Sequence, residues 1–378
     1  MKYALGNMLN GAGGLNPDGL SLDLQFAADK TLVARKGPTP VFTRGSTATF
    51  VGSNGLIQSA AINAARFDHD PVTLACKGLL IEESRTNLYT RSEEFNDATW
   101  TKTRASITAN TTTAPNGTPT ADKLVEDTTA SNTHTLSIGA TPPATAHTLS
   151  VFAKKGERTW IVLRLGAFNT FFNLDDGTIA SGSINTPTIT DFGNGWYRCA
   201  VTSSAGTQGS FLLATNSTTT VYTGDGTSGL FLWGAQLEAG SFPTSYIPTT
   251  TASVTRSADV CSITAGAFSG FYNQTEGTAF TESRPAAVNG TVTTFSLSNG
   301  TSNERWLTRI AQNEQVTVTS AGTESGFDLL NPVAGTLYKV ASAGKLNDFA
   351  VSINGIAVVT DTSQPMPNVD RAGIGNAL

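Results

Sequence analysis

Turn-forming residues interrupt this chain roughly every ten residues, and that spacing limits what it can become. Gly, Asn, Asp and Pro cut the sequence into short runs rich in Val, Ile, Thr, Phe, Tyr and Trp. An amphipathic helix needs a longer stretch with apolar residues three and four apart, and such stretches are almost absent. The pattern predicts an all-β protein of sandwich or jelly-roll type. Thr is the commonest residue, and its β-branch stiffens χ1 and packs well on a pleated face.

Four regions follow. Residues 1–40 are loose and Gly-rich, with one alternating run, Leu20-Ser21-Leu22-Asp23-Leu24. They read as an irregular N-terminal attachment arm that orders on docking to another chain. Residues 41–86 hold short strands at 41–44, 48–51, 66–68 and 78–82 and lead into the central domain. Residues 87–260 read as a jelly-roll domain, with strands at 124–126, 148–154, 159–165, 170–173, 196–202, 209–214 and 229–237. Asp175-Asp176-Gly177 and Gly193-Asn194-Gly195 supply tight turns there. Pro243 to Pro248 and the Thr run at 249–251 look like a linker. Residues 261–378 form a second, incomplete β-sandwich, with strands at 278–282, 292–297, 306–310, 315–319, 337–343 and 349–353 and an Asn354-Gly355 hairpin turn. No closing strand follows the last run, so the expectation is a truncated chain or an end that pairs with another subunit.

Charge narrows the function. With 378 residues, 24 Lys+Arg and 29 Asp+Glu, the net charge is −5, against a nucleic-acid partner, which requires a basic surface. Only 14% of residues are charged. Thr, Ser, Asn and Gly take the place of charge. Cys76, Cys199 and Cys261 are too few and too widely spaced for a disulfide framework or a zinc knuckle. No apolar run is long enough to span a membrane, and Met1 to Gly6 does not read as a secretory signal. Synthesis in a reducing cytoplasm fits this thiol content.

Three stretches are more specific. The first is Leu79-Leu80-Ile81-Glu82-Glu83-Ser84-Arg85-Thr86-Asn87-Leu88, followed by Ser92-Glu93-Glu94-Phe95-Asn96 and Trp100-Thr101-Lys102. The second is Gly193-Asn194-Gly195-Trp196-Tyr197-Arg198-Cys199. The third runs from Trp233-Gly234-Ala235-Gln236-Leu237-Glu238 through Gly240-Ser241-Phe242-Pro243 to Tyr246-Ile247-Pro248. Together they resemble the head-spike fibre and tail-fibre proteins of tailed bacteriophages, over about residues 40–260. The region 261–378 resembles the concanavalin-A-like sandwich that often follows. The resemblance implies a structural virion protein with carbohydrate-binding-module-like jelly rolls. Its implied partners are other virion proteins reached through the N-terminal arm, sister subunits in a homo-oligomer, and host surface polysaccharide.

Catalytic patterns are missing. There is no Gly-x-Ser-x-Gly elbow and no Gly-x-x-x-x-Gly-Lys-Ser/Thr loop. The only histidines are His69, His134 and His147. Asp68-His69-Asp70 would present its carboxylates and imidazole on opposite faces of a strand, so a hydrogen-bonded turn is the better reading. Glu82-Glu83, Glu93-Glu94 and Asp175-Asp176 are adjacent pairs that alternate faces and cannot flank one glycosidic bond. Asp225 and Asp191 with Asn194 offer loop oxygens, but too few for a calcium loop. No catalytic, cofactor or metal residues are expected. The candidate glycan contacts are Trp100, Trp160, Trp196 and Trp233, because a flat ring stacks on the apolar face of a pyranose. Core packing is the competing role for each of them, as for Trp306. The expected function is a non-enzymatic virion protein that displays β domains to a host surface. A glycan depolymerase and a free lectin are the alternatives.

Overall fold

The computed structural model describes the backbone of residues 2–10, and residues 20–140, 145–182, 185–203, 209–286, 288, 292–310 and 315–375. Half of the residues lie in strands and 3% in helix, as the turn spacing predicts. All strand pairs among the described residues are antiparallel. They build two sandwiches.

The central sandwich is one continuous insertion. One sheet runs Ala105–Thr112, Ala121–Glu126, Gly229–Ala239, His147–Lys155, Trp196–Ser203, Thr186–Asp191. The other runs Thr178–Ile179, Phe168–Asn173, Trp160–Leu165, Gly209–Ala214, Thr135–Ile138, Trp100–Thr103. Alternate residues of each meet in one core, with Leu149, Val151 and Cys199 facing Ile161, Leu163 and Phe211.

The second sandwich is assembled from both ends of the chain. Its larger sheet places Lys2–Asn10 between Glu276–Pro285 and Cys76–Glu82. Its other sheet places Arg371–Ile374 between Val292–Ser298 and Val260–Thr264, with Val41–Thr43 at the edge. The shared core joins Leu22, Leu24, Phe26, Phe42 and Leu79 to residues from Cys261 to Ile374, and Trp306 meets Phe349 edge to face across it.

This topology changes three expectations. Segment 1–40 is not a free arm: it supplies a strand to the middle of a sheet and three side chains exposed by 1% or less, Leu22, Leu24 and Phe26. The alternating run at 20–24 has an apolar face, and the C-terminal sheets offer the surface to bury it. Segment 41–86 belongs mainly to the second sandwich. The 261–378 region is completed by N-terminal strands, so its last described strand is internal rather than unclosed. The hairpin Ala48–Val51 with Ile57–Ala60 stands apart and covers the outer face of the central sheet.

Candidate functional site

The three distinctive stretches converge, and what they make is a joint. The chain enters the central sandwich through Arg85–Asn87 and leaves it through Val254–Arg256, which pair with each other. Asn87 lies fully buried beside this crossing. Its side-chain amide donates to the carbonyls of Ala235 and Ile247, at 3.1 and 2.9 Å, and its oxygen accepts from the N–H groups of Tyr89 and Leu237. Arg85 stacks over Phe242, and Gly240 beneath it has φ +120, with no room for a Cβ beside the guanidinium.

Deeper in the joint lies an ionic network with no solvent exposure of its side chains at Arg44, Arg66, Glu82 and Asp259. Arg66 bridges Glu82 at 2.8 Å and Asp259 at 2.5 Å. Arg44 also holds Asp259, at 3.1 Å, and Arg256 approaches Glu82 at 3.4 Å. Glu82 further accepts from the N–H and hydroxyl of Ser245. The two carboxylates hold the Arg66 guanidinium above its ordinary pKa, against the opposing effect of burial. Glu238 accepts from Thr244 and Gln236, and the Tyr246 hydroxyl meets Ser92 at 2.6 Å and donates to Glu93. Burial raises the Glu93 carboxyl above the usual carboxylate range.

The other acidic pairs also have structural employment. Glu83 meets Arg85, Glu94 meets Arg91, Asp175 meets Lys155, and Asp176 caps its own turn by accepting from Thr178. Asp68 accepts from the Val51 N–H, and Asp70 accepts from Val72 and Thr73 in the expected turn. Asp225 and Asp191 likewise accept from the backbone of their own loops. Among the described residues no group of three His, Cys, Asp or Glu could hold a metal ion.

The tryptophans separate. Trp100 packs against Tyr89, Phe95 and Phe211 in the central core. Trp196 and Trp233 point to the outer face of their sheet, where Ile57 of the hairpin and Tyr246 cover them. All three are 2% exposed or less, which closes them to a sugar ring. Trp306 is also core.

Trp160 is different. It lies on the outer face of the second central sheet, half-buried, with Phe171 against Val162, Leu212 and Ala214. In strand register, Trp160 stands beside Ala214 and Asn173, Val162 beside Leu212 and Phe171, and Arg164 beside Ser210 and Asn169. Arg164 donates from Nε to Asn169 at 2.8 Å, and burial lowers its pKa. One face therefore carries an aromatic ring, a cation, two amides and a hydroxyl. Sequence alternation around Trp160 places it on one face, and the fold leaves its ring half-buried there beside the fully buried Val162, Leu212 and Ala214.

No family model matches this chain, and no curated protein matches it. No helix among the described residues is long and apolar enough to cross a membrane.

Proposed function

We propose that the chain is a non-catalytic structural protein that adheres to glycans, carried on a phage-like particle as a head spike or tail fibre. The observation that carries the adhesion reading is the Trp160 face, where a half-buried ring lies in register with Asn173 and two same-face pairs along the strands from Arg164 and Asn169, with Val162 and Phe171 between. A ring stacks on a sugar's apolar face while amides and guanidinium bond its hydroxyls. The particle reading rests on the fibre resemblance of the stretches that form the joint. Its partners are then virion proteins, sister subunits and host polysaccharide. The engagement of the paired carboxylates in turns and the joint supports a non-catalytic role.

The test is binding of the full chain to host cells and a glycan array, with Trp160→Ala beside the wild type. Loss of a ring stack is expected to weaken binding by about tenfold, ~1.4 kcal/mol. Equal binding by the variant removes the assigned face. Absence of binding by the assembled oligomer makes the central sandwich a spacer. Release of reducing sugar favours the depolymerase.

A further inference from the structure

A cleft of about 250 Å³ opens where the hairpin strand Ala48–Val51, the outer face of the central sheet and the strap 242–246 meet. That is the volume of about eight waters, enough for one sugar-sized ring. Phe50, Phe152, Phe192, Phe242 and Tyr246 supply aromatic surface, and the exposed Thr188 and Thr190 lie on its rim. Its charged lining is Asp68, Lys77 and Arg198, two cations against one carboxylate. Asp68 is already engaged by the Val51 N–H.

Arg198 is the unusual member. It is 6% exposed and sits over the Phe152 ring, with its guanidinium carbon 5.3 Å from the centroid. Nη1 donates to the Thr244 carbonyl at 2.6 Å and Nη2 to the Ser150 hydroxyl at 3.1 Å, while Nε has no partner among the described residues. A guanidinium has five N–H donors, so most of this one is unused. Glu238 and Glu82 act on it only at a distance, and both are committed to Thr244, Gln236, Arg66 and Ser245. Burial accordingly lowers its pKa. A buried cation with spare donors and, among the described residues, no ion pair is set up for a planar anion that arrives from outside.

We propose that this cleft binds an acidic monosaccharide unit, its carboxylate on Arg198 and its ring against the aromatic wall. Lys77 is ion-paired with Asp70 at 3.4 Å, which leaves Arg198 as the cation for the carboxylate, and Thr188 and Thr190 stand where ring hydroxyls emerge. Neutral sugars lack the group that completes the guanidinium. The site is independent of the Trp160 face, and either can fail alone.

The experiment is calorimetric titration of the full chain with glucuronate and with N-acetylneuraminate, and with glucose as the neutral control. Saturable binding of at least one acid, at least about tenfold tighter than glucose, is expected. Thr190→Trp fills the rim from an exposed position and is expected to abolish it, and Arg198→Lys to weaken it by about tenfold. Failure of both acids to bind, equal binding of glucose, or full binding by a folded Thr190→Trp variant overturns the proposal. If Arg198→Lys does not fold, the Thr190→Trp result decides.

Discussion

Asn87, Glu82 and Gly240 each do something a close substitute cannot. Asn87 satisfies two carbonyls and two N–H groups with one side chain, and its replacement by Ala leaves buried backbone groups unpaired. Glu82→Gln removes one charge from a network of buried arginines and leaves Arg66 and Arg256 short of a counter-charge. A loss of about 3–5 kcal/mol in stability is expected, measured by chemical denaturation. Gly240→Ala meets the Arg85 guanidinium in a backbone region that a side chain rarely adopts, and about 3 kcal/mol is expected to be lost. Glu93 behaves in the opposite sense. Its folded pKa is raised, so its stabilising contribution is present below the ordinary carboxylate pKa and is lost as pH rises through the raised value. Glu93→Gln is therefore expected to match the wild type in acid and to become the more stable protein, relative to it, toward neutral pH. Melting temperatures across that range check the sign.

Among the elements, the N-terminal strand carries the clearest expectation. Deleting residues 1–40 removes a strand with neighbours on both sides and the buried Leu22, Leu24 and Phe26. The truncated chain is expected to expose apolar surface and to lose cooperative unfolding of the second sandwich, read by dye binding and by circular dichroism. A folded, monodisperse truncation argues against the assigned sheet position. Most strands were legible in the sequence because alternation and turn residues are local signals: 209–214 is placed to the residue, and 196–202 and 292–297 each stop one residue short. Lys2–Asn10 and Arg371–Ile374 were not, because glycines dilute their apolar pattern and their partners lie far along the chain. The same reasoning explains the tryptophans. Period-two alternation says only that neighbouring rings take opposite faces; that Trp196 and Trp233 lie on the outer face, under a hairpin from more than a hundred residues upstream, is not local information.

For the whole molecule, the joint makes the two sandwiches mechanically one body. Arg44, Arg66 and Glu82 belong to the second sandwich's side of the chain, while Ser245 and Tyr246 belong to the strap that crosses the central sheet. A single unfolding transition is expected for the full chain, and two well-separated transitions in calorimetry count against it. Such rigidity fits the proposed role of a spacer or spike, which would hold its display surface at a fixed distance.

The order in which the ribosome delivers these strands adds a constraint on biogenesis. Among the described residues Val41–Thr43 has one strand neighbour, Val260–Thr264, which is translated roughly 220 residues later, a wait on the order of 10–45 s. The central sandwich can close during that interval, while the early strands of the other remain open edges. Nascent chains are thus exposed to mispairing with their neighbours on a polysome, and crowded expression should favour tangled dimers that slower synthesis avoids.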